Sequence, residues 1–199
     1  MIDFLLDSVW LGPLLWFALY TSDYFVTIAC ARLYQAQDKV AFEGSYEITP
    51  LFQADVNALR LVSPRFVIAL IATTSYVVLV QQIAGSTPSL YLGVLGALIV
   101  VELTIHIRHL RNWFVFKYGL FSIQGRLVYP RGFVLRMSAF ELFTFTSLYG
   151  ILFLTTQSPF ILGGALATGV LSLNHYRLAR RHDAARSAAA RQGLLPQRS

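Results

Sequence analysis

The stretch "SLYLGVLGALIVVELTIHIRHLRN", residues 89–112, combines two things that water-soluble helices keep apart. Its first thirteen residues, 89–101, carry no charge and are dominated by Leu, Val, Ile, Ala and Gly. Taken as a whole, the stretch is long enough to cross a bilayer, which takes about 20 mostly apolar residues. Into its second half the sequence then sets Glu102, His106 and His109, spaced four and three residues apart. On a helix that spacing puts a carboxylate and two imidazoles on one face.

The apolar character is general. Of 199 residues, 56% are hydrophobic and 13% charged, against about 25% charged in an ordinary soluble domain. Four more segments, roughly 9–31, 66–84, 133–155 and 158–178, meet the length and composition of a span. The predicted fold is therefore an all-α integral membrane protein, a five-transmembrane-helix bundle forming one polytopic domain over residues 1–178. The connections "AGSTPS" (84–89) and "TTQSP" (155–159) are short, uncharged and Pro-containing, as helical hairpins require. Longer connections fall at 32–65 and 113–132, and a basic tail covers 179–199.

Charge placement sets the expected threading. Arg32, Lys39, Arg60 and Arg65 lie between spans one and two. Arg108, Arg111, Lys117, Arg126, Arg131 and Arg136 surround the connection from three to four. Arg177, Arg180, Arg181, Arg186, Arg191 and Arg198 follow span five, which accounts for all 16 basic residues on alternate connections. Because Lys and Arg are retained on the cytoplasmic side, the N-terminus is expected outside and the C-terminus in the cytoplasm, multi-pass in the cell's inner (plasma) membrane. The net charge of +6 is then a topology signal and not a nucleic-acid footprint. Its expected partners are anionic lipid head groups, met by Arg108, Arg111, Arg177, Arg180 and Arg181. Asp3 and Asp7 stand where a secretory signal would carry Lys or Arg, so the chain is expected to lead straight into its first span.

Small residues at Gly93, Gly96 and Ala97, and at Gly163, Gly164, Ala167 and Gly169, mark helix contacts, within the chain or in a homo-oligomer or with a partner membrane subunit. In 33–65, "EGSYEITPLFQADVNALRLVSP" reads as a turn and a short surface helix. In 114–132, β-branched and aromatic residues around Gly125 suggest a small cytoplasmic β-hairpin or interfacial segment. The last span is expected to run on into the cytosol and fray near "GLLPQRS". The single cysteine, Cys30, reads as a packing residue.

Acids at bilayer depth are costly and usually functional. Asp23, Glu102 and Glu141 each fall two or three residues to the cytoplasmic side of their span's middle, roughly 2–5 Å at the helical rise. A second layer, one turn nearer the cytoplasm, comprises Thr27, His106, Asn174 and His175, while His109 is expected near the membrane surface. The result is a cytoplasmic-side polar cavity with Asp23, Glu102 and Glu141 as its cation or proton site. Such acids cannot all stay ionised in a low dielectric without shared protons or a cation. Glu102, His106, Glu141 and His175 are of the types that ligate Zn, Mn or Fe, so a divalent metal is a candidate cofactor.

Two resemblances accompany this reading. Glu102, His106, Asn174 and His175 resemble the Glu/His/Asn set of CAAX-type intramembrane proteases, whose paired-Glu motif is absent. "TSDYFVT" (21–27) with "YEITP" (46–50) resembles the Asp-x3-Thr and Glu-x-Asn-Pro pattern of an uncharacterised prokaryotic membrane family, with Thr49 in the place of Asn. That resemblance implies a related set of Asp23, Thr27, Glu47 and Pro50, with Glu47 turned toward the cavity mouth. Three functions are expected from these features. The first is proton or cation handling as a channel or transporter. The others are a metal-dependent intramembrane enzyme acting on a lipid or peptide, and an accessory or assembly subunit of a membrane complex.

Overall fold

The computed structural model describes residues 4–84, 87–120 and 124–192. A short turn, α1 (Phe4–Asp7), precedes α2 (Leu11–Gln35), strand β1 (Val40–Phe42) and the small helix α3 (Gln53–Asn57). Then come α4 (Pro64–Ile83) and α5 (Pro88–Phe114), which continues through a π-helical turn, Val115–Gly119. Strand β2 (Leu127–Tyr129), α6 (Arg131–Thr156) and α7 (Pro159–Arg191) complete it. The chain is mostly helical. Four helices, Leu11–Gln35, Pro64–Ile83, Pro88–Gly119 and Arg131–Thr156, are long and apolar enough to cross a membrane. The expected fraying at "GLLPQRS" and the entry around Asp3 lie outside the described residues, as do residues 85 and 86 of the "AGSTPS" connection.

The helix boundaries arise from local chemistry. Pro64, Pro88 and Pro159 each occupy the first turn of a helix, where a missing N–H costs nothing. Ser63 caps α4 by accepting the Phe66 N–H at 3.0 Å. At the other extreme α6 stops at Gln157, whose φ of 51° is left-handed and whose N–H returns to the Phe153 carbonyl.

Pairwise contacts give the directions. Gly12 meets Tyr91 and Leu95, Ser22 meets His106, and Thr27 meets His109, so α2 and α5 run parallel. Gly96 meets Phe160, Gly163 meets Gly93 and Ala97, and Gly164 meets Val100, so α5 and α7 are parallel too. Trp16 donates to Thr73 Oγ1 at 3.0 Å and Tyr24 stacks on Phe66 at 4.2 Å, which sets α4 antiparallel to α2. Thr146–Thr168 at 3.0 Å and Ser172 to the Ala139 carbonyl at 2.7 Å do the same for α6 and α7. All the Lys and Arg among the described residues therefore gather at one end, where α2, α5 and α7 finish and α4 and α6 begin. At the far end, Trp16, Val77, Tyr91, Leu95 and Ile99 pack into a hydrophobic core. The rim of the bundle is apolar as well, with Ile68, Ile71, Phe140, Ile151, Leu154 and Val170 all exposed.

Helix α3 supplies the short helix expected in the first long connection, and its Asp55, buried, holds Arg60 at 3.0 Å. The expected hairpin is corrected. Strand β2 pairs in parallel with β1, Val40 opposite Leu127 and Phe42 opposite Tyr129, so the sheet joins the two long connections. The reason is that Val115–Gly119 stays helical and cannot serve as the first strand of a hairpin. Glu43, just past β1, accepts from the Arg131 N–H at 3.2 Å and pairs with Arg186 at 3.3 Å, while Arg136 pairs with Asp183.

A Cβ on Gly163 would collide with the Gly93 carbonyl, whereas one on Gly150 would meet nothing within 4 Å. Gly163→Val is expected to destabilise the protein by at least about 1–3 kcal/mol in reversible micellar unfolding. Gly150→Ala should instead be neutral or stabilising by about 0.5–1 kcal/mol, and equal effects would contradict the packing described.

Candidate functional site

The parallel register of α2 and α5 brings two sequence-distant motifs, "TSDYFVT" and "VELTIHIRHL" (101–110), face to face. Ligand atoms of Asp23, Glu102 and His106 all lie within 4.8 Å of one another. Glu102 is only 6% exposed. His106 Nδ1 sits 2.7 Å from the Glu102 carbonyl oxygen one turn back. Since a carbonyl only accepts, Nδ1 bears the proton. The other ring nitrogen, Nε2, is then the one facing Ser22 Oγ at 2.7 Å. Ser22 also donates to the Leu19 carbonyl at 2.9 Å.

A second imidazole completes the cluster. His109 Nε2 is 2.9 Å from Thr27 Oγ1 and 3.4 Å from Asp23 Oδ1, and its backbone carbonyl accepts from Cys30 at 3.3 Å. His109 is turned into the bundle, its side chain 14% exposed. Helix α5 continues to Phe114 and on through Gly119, so His109 is well short of its end. Asp23 Oδ1 and Glu102 Oε2 are buried and accept no hydrogen bond from the described residues.

Glu141 is placed elsewhere. It projects from α6 toward Arg108 Nε at 3.0 Å and Arg111 at 2.6 Å. Arg108, expected at the head groups, is instead a largely buried counter-ion with 17% exposure, while Arg111, Arg177, Arg180 and Arg181 are exposed. Of the expected second layer, Thr27 and His106 join the cluster. His175 bonds Ser138 at 2.8 Å in the α6–α7 seam, and Asn174 is exposed. Among the described residues no Lys or Arg forms an ion pair with Asp23 or Glu102.

Over the basic end of the cluster lies the connection after β1. Tyr46 is held between Tyr34 and Phe116, with ring centroids 5.4 and 5.9 Å away. Burial pushes its phenol well above the usual tyrosine range, so the group stays neutral. The Glu47 carboxylate accepts the Thr49 N–H at 2.6 Å. From the side, an apolar groove of about 660 Å³ runs along the α5–α7 seam, lined by Gly93, Ala97, Val101, Gly163 and Ala167, and reaches Glu102.

Ser22 and Tyr46 lie at the site although sequence reasoning gave them no part, and His109, expected on the Glu102 face but nearer the membrane surface, joins it. For His109 the signal was present, since seven residues from Glu102 is two helical turns and the same face. Comparison with known protein families, with characterised proteins and with solved structures returns no match for this chain.

The Arg108–Glu141 pair is expected to behave as a buried ion pair. Glu141→Gln should lower stability by about 3 kcal/mol by stranding Arg108, while the joint change Arg108→Met with Glu141→Leu recovers most of it. Comparable losses in the single and double variants, measured by micellar unfolding, would refute that.

Proposed function

We propose that this chain is a five-span protein of the inner (plasma) membrane, N-terminus outside and C-terminus cytoplasmic, that handles protons or metal cations from the cytoplasmic side. The exposed apolar rim and the alternating helix directions support the spans, with α7 contributing its apolar first half as the fifth. The gathering of Lys and Arg at one end supports the orientation. Single cysteines in a Cys30→Ala background test it: Ser158→Cys should react with an impermeant thiol reagent from outside, and Ser187→Cys only from the cytoplasm. The reverse pattern would invert the threading.

The observation that carries the functional reading is the Asp23–Glu102–His106 cluster, with His109 beside it. Two carboxylates in an apolar bundle, with no ion-paired Lys or Arg among the described residues, call for a mobile positive charge. Beyond them, Trp16, Tyr91, Leu95 and Ile99 fill the far half of the bundle. This supports a carrier whose helices rearrange to expose the site alternately, and speaks against a standing pore. Protein reconstituted in vesicles should carry H⁺ or a cation, and Asp23→Asn and Glu102→Gln should each lower the flux at least tenfold. His175→Gln should leave it near normal. No flux of H⁺, monovalent or divalent cations, across pH and potential, would sink the reading.

A second reading is favoured by the groove that reaches Glu102 along the α5–α7 seam. It gives an apolar chain access to an acid, the arrangement a metal-dependent enzyme acting on a lipid would use.

A further inference from the structure

The cluster has more to it than two unpaired acids. We infer that Asp23, Glu102 and His106 Nε2 form a binding site for a single divalent transition-metal ion, which deepens the reading above by naming the cation and rests on it only for the ion's role as cargo. Four features converge on that assignment.

The first is geometry. An ion bonded at about 2.0–2.2 Å to each donor holds the donors within roughly 4.4 Å of one another. One ligand atom from each residue lies within 4.8 Å of the other two, so side-chain adjustments of up to about an ångström bring them onto one ion. The second is orientation. A metal-bound histidine donates its other ring N–H to a carbonyl or carboxylate, which fixes the tautomer. His106 does this through Nδ1 to the Glu102 carbonyl at 2.7 Å. Ser22, which faces Nε2, has the Leu19 carbonyl as an alternative acceptor and can release the ring without losing its own hydrogen bond.

The third is charge. A dication between two carboxylates is a neutral assembly, the one metal charge state that leaves nothing uncompensated in a low-dielectric interior. Arg108 and Arg111 are both turned to Glu141, and neither forms an ion pair with Asp23 or Glu102. Glu102 is the second, independent sign of a ligand: 94% buried by its 6% exposure, with Oε2 accepting no hydrogen bond from the described residues. The fourth is ligand chemistry. Two carboxylates and one imidazole suit Zn²⁺, Mn²⁺ or Fe²⁺, whereas Ca²⁺ prefers six to eight oxygens and Cu⁺ prefers sulfur. Cys30 is turned away, its thiol donating to the His109 carbonyl. Three protein ligands leave an open coordination position, the mark of a site that exchanges or activates and not of a structural staple.

The test uses the full-length protein in detergent, loaded separately with Zn²⁺, Mn²⁺ and anaerobic Fe²⁺, desalted and assayed for metal by mass spectrometry. One equivalent of at least one ion is expected, with an absorption-edge spectrum of N/O ligands including imidazole. Asp23→Asn, Glu102→Gln and His106→Gln should each weaken binding at least tenfold while circular dichroism confirms their helicity. His175→Gln, in the α6–α7 seam, should bind like the parent. The inference is overturned if the parent takes up none of the three ions, or if all three ligand variants, folded, bind as it does. Uptake without flux in vesicles leaves the site standing and removes the carrier; proton flux without uptake does the opposite.

Discussion

Helices α5 and α7 touch backbone to backbone, and most of the rest of the bundle is arranged around that contact. Gly96 lies against the Phe160 carbonyl and Gly163 against the Gly93 carbonyl, so no side chain intervenes. Such closeness fixes the register of α7 on α5 to the residue, since any slide would drive a side chain into a peptide group. Register then passes outward. Helix α7 locks α6 through Thr146–Thr168, Ser172–Ala139 and Ser138–His175. On its other side α5 takes α2 at Gly12, where a Cβ would collide with Tyr91. Asp23 meets Glu102 because three parallel helices share one vertical alignment.

The electrostatics of the inner half are a matter of allocation. Three acids and the arginines Arg108 and Arg111 occupy the same stretch of the bundle, and the arginines both go to Glu141. Arg111 donates a hydrogen bond to Glu141 at 2.6 Å, while Arg108 Nε faces its other oxygen at 3.0 Å as an ion pair. Asp23 and Glu102 are left with imidazoles, hydroxyls and each other. The molecule therefore separates an ion-paired arginine–carboxylate group from a cluster of acids that has no Lys or Arg partner among the described residues.

Much of this is legible from periodicity alone. The five long helices follow from apolar runs, and the Glu102–His106–His109 face follows from four- and three-residue spacing. What the sequence does not carry is which way a face turns once depth is known. Glu141 has a depth in its span like that of Asp23 and Glu102, yet α6 aims it at Arg108, because rotation about a helix axis is set by neighbours and not by local pattern. His175 diverges from expectation in the same way: it serves the α6–α7 seam. The sheet escapes detection for a different reason. A parallel pairing between residues 40–42 and 127–129 leaves no turn signal, since its closure depends on the helices in between.

Sequence separation has a further consequence, for the order in which the protein assembles. The α6–α7 hairpin closes through a connection of two residues, Gln157 and Ser158. Its contacts come at little loop-closure entropy, which favours early formation. The cluster is the opposite case: Asp23 and Glu102 are joined only after α3 and α4 have been accommodated between them. Each acid must wait on its own helix, without the other, until α2 docks. Proper docking is thus reported by the acids themselves, since a bundle in which α2 has not seated lacks the cluster entirely while keeping most of its helical hydrogen bonds.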